Sequence, residues 1–258
     1  MKVVILAGGY GTRLTEETRI IPKPMVEIGE MPIIWHIMKH YSFYGFNEFI
    51  ICCGYKQDVI KKWFADYYLT HSDVTFDFAN NNDITIHRSC DEPWKVTVVD
   101  TGLETMTGGR IKRVAKYIGN EPFMMTYGDA VCDVNLSELL KFHEAHGKKA
   151  TLTAVIQKQQ KGVLDISTVG AVRNFREKQV VDQTPINAGY MVLDPSVLDL
   201  IGGDSESFEQ GPLSQLADDG ELMSYRHYGF WQCMDNLREK LILDEMWKSG
   251  KAPWKIWD

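Results

Sequence analysis

The chain has 258 residues, 44% of them apolar and 24% charged, with a formal net charge of −7. That length and mix suit one globular domain whose core is large enough to need no disulfide. The acidic balance, with no Lys/Arg run longer than a pair, excludes nucleic acid as the main partner, and no apolar stretch approaches the roughly 20 residues that span a bilayer.

Residues 3–7 read as a buried strand. It feeds Gly8-Gly9-Tyr10-Gly11-Thr12-Arg13, and Pro22-Lys23-Pro24 follows. Glycines let backbone N–H groups approach an anion closely. Arg13 adds a planar fork of donors that matches phosphate oxygens, and Lys23 is a cation on a backbone stiffened by two prolines. Together they predict a polyphosphate site. A Walker A loop is excluded because Thr12-Arg13 follows Gly11. A dinucleotide fingerprint is excluded because Leu14 stands where its third glycine belongs.

Further along, residues 32–44 have helical spacing with Pro32 suited to the first turn. Residues 48–53 predict a strand in which Cys52 and Cys53 point to opposite faces, and 56–68 an amphipathic helix. Strands are expected at 74–79, 84–88 and 96–100, a helix at 109–118 and a buried strand at 122–127. Asn135 caps a helix over 136–146 that Gly147 ends, and 150–157 is strand again. This alternation implies a mostly parallel, doubly wound α/β sheet.

The second half is richer in strands, at 171–176, 187–193 and 222–228, with mobile polar loops expected at 158–162 and 179–184. A last helix over 236–248 leads into Pro253-Trp254-Lys255-Ile256-Trp257. Such a tail is too apolar for water and is expected to pack on the body or on another subunit. The five cysteines, Cys52, Cys53, Cys90, Cys132 and Cys233, form no CxxC pair and no zinc spacing. They read as buried reduced thiols. With no signal-peptide pattern at the start, the chain is expected in the cytoplasm.

Asp129 follows the predicted strand 122–127, and the C-terminal ends of such strands are where open α/β sheets bind ligands. Magnesium on a nucleotide takes only one or two protein carboxylates, and Asp129 fits the first. Asp235 is the second candidate, although its place before the last helix equally suits an N-cap. The seven histidines are scattered, and none is assigned a catalytic role.

The run Leu6-Ala7-Gly8-Gly9-Tyr10-Gly11-Thr12-Arg13-Leu14, with Pro22-Lys23-Pro24, resembles the signature of the sugar-1-phosphate nucleotidylyltransferases position by position. The resemblance implies a Rossmann-like nucleotidyltransferase fold: a mixed, mostly parallel sheet, helices on both faces and a smaller β-rich sugar-binding region. It implies one domain over 1–258, with 1–134 mainly the nucleotide-binding half and 135–258 mainly the sugar-binding half. It gives the nucleotide Leu6, Ala7, Gly8, Gly9, Gly11, Thr12, Arg13 and Lys23, with Arg13 and Lys23 catalytic, and it makes Asp129 and Asp235 the ligands of Mg²⁺. It gives the sugar phosphate Tyr127, Glu177, Lys178 and Asn187. Two positions depart from the family pattern: Gln179 replaces a proline after Glu177-Lys178, and Ala188 replaces a glycine after Asn187.

The loop Thr101-Gly102 … Thr107-Gly108-Gly109-Arg110 is similar to that of the cytidylyltransferase branch. That likeness extends to Trp35-His36-Ile37-Met38, Cys52-Cys53-Gly54-Tyr55 and Lys251-Ala252-Pro253-Trp254. It implies CTP as the nucleotide, contacted by Thr107 and Arg110, with Arg110 donating to O2 and N3 of cytosine. The implied reaction is CTP plus glucose 1-phosphate giving CDP-glucose and pyrophosphate, in a homo-oligomer, with the product feeding dideoxysugar synthesis for lipopolysaccharide O-antigen. Attack is in line, and the phosphate nucleophile, with its second pKa about 6, needs no general base. Three alternatives stay open at this point: another nucleotide or hexose 1-phosphate, a non-catalytic sugar-nucleotide-binding subunit, and a flavin or nicotinamide enzyme, which the failed fingerprint disfavours.

Overall fold

The computed structural model describes residues 1–11, 14, 20–88, 92–156, 163–166, 171–176 and 184–257. The expected loop at 158–162 and all of the one at 179–184 but Thr184 lie outside them, as do Thr12, Arg13, Cys90, Glu177 and Lys178.

In chain order the first half runs β1 (Lys2–Ala7), a 3-10 turn (Lys23–Met25), β2 (Glu27–Ile28), β3 (Met31–Pro32), α1 (Ile33–Phe43), β4 (Glu48–Cys53) and α2 (Gln57–Thr70). It continues through β5 (Asp73–Asp77), β6 (Asp83–Arg88), β7 (Lys95–Asp100), α3 (Thr107–Arg113), α4 (Ala115–Ile118), β8 (Phe123–Tyr127) and β9 (Ala130–Cys132). The second half holds α5 (Leu136–His146), β10 (Ala150–Ile156), β11 (Val163–Ile166), β12 (Val172–Arg176), β13 (Pro185–Leu193) and a 3-10 helix (Pro195–Leu200). It closes with α6 (Pro212–Asp218), β14 (Leu222–His227), β15 (Trp231–Cys233) and α7 (Leu237–Lys248).

Seven strands form the central sheet in the order β14-β10-β13-β8-β1-β4-β7. Every pair in it is parallel except those made by β13, which runs antiparallel to both β10 and β8. The mixed, mostly parallel sheet is therefore as expected. Alternation along β1 and β4 splits the core. Val3, Ile5, Ala7, Ile51 and Cys53 enter one apolar cluster with α1 and α7, while Val4, Leu6, Ile50 and Cys52 enter the other with α3 and α6. Helices thus cover both faces, and Cys52 and Cys53 point apart. Because β4 and β8 flank β1 on opposite sides, their C-terminal ends open a crevice at the middle of the sheet.

Most predicted elements recur within a residue or two. In α5 the Asn135 side chain accepts from Glu138 N, and Gly147 closes the helix with φ 64°. The expected helix over 109–118 differs. It starts at Thr107 and breaks at Val114 (φ −97°, ψ 4°), a fully buried residue that separates α3 from α4. The two glycines at its start are poor helix formers. They are helical because the 204–208 segment pairs with them, Gly108 N donating to Glu206 O at 3.0 Å. The sequence reading missed the two-residue hairpin β2–β3, the small β9–β15 ladder and α6.

The Trp-rich tail packs on its own body. Trp254 is fully buried, stacked on Phe230 at 5.5 Å and on Trp247 at 6.4 Å. Its indole N–H faces His36 Nδ1 at 3.4 Å, while His36 Nε2 donates to Ile28 O at 2.9 Å. An indole only donates, so His36 is neutral. Burial pushes its pKa down to about 4, and burial does the same to His40, on whose ring Val134 O makes the partner contact. Both histidines charge more readily when unfolded, near the ordinary value of about 6.5. Stability conferred by their neutral burial is complete above pH 6.5 and is lost as pH falls from there toward 4. The loss is roughly 1.4 kcal/mol per histidine per pH unit. Urea unfolding at pH 7 and pH 5 is expected to show the lower midpoint at pH 5. Equal midpoints would mean that one or both rings are charged in the folded state.

Candidate active site

The crevice at the end of β1 is a cleft of about 430 Å³. Leu6, Ala7, Gly8, Gly9, Gly11, Lys23, Thr107, Arg110, Tyr127, Asp129 and Asp235 all line it, so eleven residues picked from the sequence meet there. They come from segments as far apart as β1 and the turn before α7 because the sheet order brings the ends of β1 and β8 together. Gly128 N donates to Leu6 O at 2.9 Å, which fixes the Asp129 turn against the glycine loop.

Pro22 caps the 3-10 turn that carries Lys23, and Pro24 follows it inside the turn. The lysine is 9% exposed. Its Nζ donates to Asp129 Oδ2 at 2.7 Å and to Asp235 Oδ1 at 2.6 Å. Burial alone would lower the Lys23 pKa, but the two carboxylates outweigh it and hold the pKa above its usual value. Asp235 is not the cap of α7. Asn236 takes that place, its side chain accepting from Glu239 N, while Glu239 Oε2 accepts from Asp235 N at 2.6 Å. The Asp235 carboxylate is left to face Lys23. Asp129 and Asp235 thus offer hard oxygen donors that converge on one point already holding a cation. This donor set fits Mg²⁺.

Arg110 is 5% exposed. Its Nη1 donates to Cys53 O, Thr101 Oγ1 and Gly102 O at 3.2, 2.9 and 2.7 Å, and its Nη2 donates to Leu103 O at 3.1 Å. Burial lowers its pKa from the usual value, yet a guanidinium stays charged under any ordinary condition. The guanidinium packs closely against Gly8 and Gly54. A Cβ built on Gly8 would sit 2.1 Å from Nη1, so only glycine fits there. Arg110 therefore ties the β4 end to the 101–103 loop beside the glycine loop.

Tyr127 ends β8, and its ring lies over Gly189, where a Cβ would meet it at 2.4 Å and where φ is +85°. This accounts for the glycine of the Asn187-Ala188-Gly189 segment. Asn187 does not line the cleft itself. Its Oδ1 accepts from Gly189 N at 2.9 Å, and its side chain bonds the Tyr127 hydroxyl. Tyr127 OH and Thr107 Oγ1 both donate to one carboxylate, Glu209, each at 2.6 Å. Burial and the Glu209 charge hold the phenol pKa well above its usual value. The carboxyl of Glu209 would be raised by burial, but hydrogen bonds from Thr107, Tyr127 and Ser207 outweigh this and hold it low. Sequence reading missed Glu209. No local signal marks it, since the two cleft hydroxyls it joins lie 102 and 82 residues away.

Among the described residues no helix is long and apolar enough to cross a membrane. Cys52, Cys53, Cys132 and Cys233 are free thiols, and burial pushes Cys53 and Cys233 up to about 12. Their thiols stay protonated and carry no nucleophile.

The chain is 57% identical over 259 residues to a glucose-1-phosphate cytidylyltransferase of Salmonella typhi, all of both chains being covered. It is 44% identical over 258 residues to a probable glucose-1-phosphate cytidylyltransferase of Bacillus subtilis (strain 168), again over all of both. The crystal structure of HddC from Yersinia pseudotuberculosis complexed with GMP-PN shares the fold, with a TM-score of 0.67 at 24% identity over 95% of this chain and 99% of that one. The model of the nucleotidyl transferase family matches residues 2–231. This chain belongs to the nucleotidyl transferase family.

Proposed function

We propose that the chain transfers CMP from CTP to α-D-glucose 1-phosphate, giving CDP-glucose and pyrophosphate. The observation that carries this reading is the meeting of Lys23, Asp129 and Asp235 at the mouth of the glycine loop. It is the arrangement that bringing two phosphate anions together requires. The full-length relatives named for that reaction support the choice of nucleotide and sugar.

The sugar phosphate attacks the α-phosphorus of CTP in line, and pyrophosphate leaves. The nucleophile is already ionised at neutral pH, so the residues position groups and neutralise charge rather than move protons. Asp129 and Asp235 would hold Mg²⁺, which when bound supplies charge neutralisation between the two phosphate groups. The backbone amides of the 8–12 loop and Arg13 hold the β- and γ-phosphates as charge builds on the leaving group. Lys23 faces the α-phosphate. Lys178 receives the phosphate of the sugar 1-phosphate and Glu177 its hydroxyls, while Asn187 braces Gly189 and Tyr127. Arg110 and Thr107 shape the wall on which cytosine lies. Residues 1–134 carry mainly the nucleotide side and 135–258 mainly the sugar side.

The reading keeps the chain in the cytoplasm, in line with its free thiols. It also makes the chain a homo-oligomer. Phe78 at 80% and Phe76 at 49% exposed on the β5–β6 hairpin, with Leu241 at 56% on α7, are apolar surface that a second copy would cover. Sedimentation velocity of the full chain at micromolar concentration tests this, and a lone monomer would refute it.

The experiment on the reaction measures pyrophosphate release with Mg²⁺ and glucose 1-phosphate for each of CTP, UTP, dTTP, ATP and GTP. Release with CTP alone is expected. Release with another nucleotide would keep the mechanism and overturn the base. Tight CTP binding with no release, on this or other hexose 1-phosphates, would favour a non-catalytic binding subunit.

A further inference from the structure

Two walls of the cleft are joined by one carboxylate behind them. Thr107 opens α3 on one wall, Tyr127 ends β8 on the other, and both line the cleft. Their hydroxyl protons go to opposite oxygens of Glu209, Thr107 to Oε2 and Tyr127 to Oε1, and Ser207 Oγ adds a third donor to Oε2 at 2.7 Å. Thr107 Oγ1 in turn accepts from Phe208 N at 2.9 Å, so the 207–209 loop grips it from both sides. On the Tyr127 side the Asn187 side chain extends the chain of bonds. Asn187 Oδ1 is already taken by Gly189 N, which leaves its amide protons for the phenol oxygen.

We propose that Glu209 is a positioning residue that locks Thr107 and Tyr127 as acceptor-only hydroxyls and so holds the base side and the sugar side of the cleft in register. This rests on the nucleotidyl-transfer reading given above. A hydroxyl whose single proton is directed to a carboxylate offers only lone pairs to a ligand. Tyr127 then suits a hydroxyl group of the sugar, which donates, and not a phosphate oxygen, which accepts. Within the sugar 1-phosphate, that places Tyr127 at the sugar ring. The linked bonds also polarise one another, so loss of the carboxylate is felt along the whole chain from Asn187 to Thr107.

A double-mutant cycle tests this, with Glu209→Gln, Tyr127→Phe and the double variant, reading kcat, KM for each substrate and the thermal midpoint. Glutamine replaces one acceptor oxygen by an amide that only donates, so one hydroxyl must turn its proton into the cleft. Each single change is expected to lower kcat/KM for glucose 1-phosphate about tenfold, the range for a lost charge-assisted bond. The double variant is expected to fall no more than about twofold below the worse single. Additive losses of about a hundredfold would overturn the proposal. So would losses that simply follow a fall in thermal midpoint.

Ser207→Ala keeps the carboxylate and removes a donor away from the substrate, and is expected to cost about threefold in kcat/KM. An unchanged value there, together with an unfolded Glu209→Gln, would also count against it. If the wild-type chain turns over no CTP with glucose 1-phosphate, the reaction fails but the contact remains testable. The ¹³Cζ resonance of Tyr127, assigned by its absence in Tyr127→Phe, is expected to move in Glu209→Gln. An unmoved resonance would remove Glu209 from the site.

Discussion

Lys23→Met lowers turnover at least a hundredfold with KM for glucose 1-phosphate little changed. A preorganised charge aimed at a reacting phosphate is typically worth about 3–4 kcal/mol of barrier when deleted. Lys23 has the marks of such a group. It is 9% exposed, its backbone is fixed between prolines, and its ammonium is held by two carboxylates at 2.6 and 2.7 Å. Methionine keeps the length of the stem and removes the ammonium with its charge and its N–H donors. The change also leaves Asp129 and Asp235 without the cation they share, and like charges brought together repel. The variant is therefore expected to have a lower thermal midpoint without added metal, and Mg²⁺ is expected to raise that midpoint more than it does in the wild type. Turnover within tenfold of wild type would remove Lys23 from the mechanism. A midpoint indifferent to Mg²⁺ in the variant would count against Asp129 and Asp235 as a metal pair. Arg13→Ala is expected to give a similar fall in turnover, from the leaving-group side.

Arg110→Ala is the second large effect, and it combines stability with base choice. The side chain satisfies the carbonyls of Cys53, Gly102 and Leu103 and the hydroxyl of Thr101 from a 5% exposed position. Alanine leaves those oxygens facing a void beside Gly8. Each buried unsatisfied group costs about 1–3 kcal/mol, though some recover a partner by relaxation or from water, so a net loss of about 3 kcal/mol is expected. For a chain of this size that is roughly a 10 °C fall in thermal midpoint. The released 101–103 loop is part of the cleft wall, so KM for CTP is expected to rise and the preference for CTP over UTP to shrink together with stability. Arg110→Lys does not rescue either property, because an ammonium cannot reproduce the fork that spans four acceptors. If instead the midpoint stays put and only the CTP preference disappears, Arg110 reads the base directly and does not anchor the loop.

What was legible in the sequence was local. The strand before the glycine loop, the proline-flanked lysine and the helix started by Asn135 and closed by Gly147 are each set by neighbours within a few residues. Periodicity, capping and restricted φ leave marks of that length. The start of α3 at Thr107 was not legible, because the distant segment 204–208 pairs with it. The chain also hid the reversal of β13, which depends on which neighbours it pairs with.

At the site the division is sharper. The sequence by itself determined which residue types are present: a glycine loop, one clamped lysine, two candidate metal aspartates and an arginine near the base loop. Only the tertiary structure decided that Lys23 meets aspartates 106 and 212 residues away, that Arg110 is turned onto backbone oxygens, and that Glu209 ties Thr107 to Tyr127. The physical reason is range. A cap or a turn is an energy among adjacent residues, whereas an ion pair or a shared carboxylate exists only once the sheet order has brought distant strand ends to one crevice.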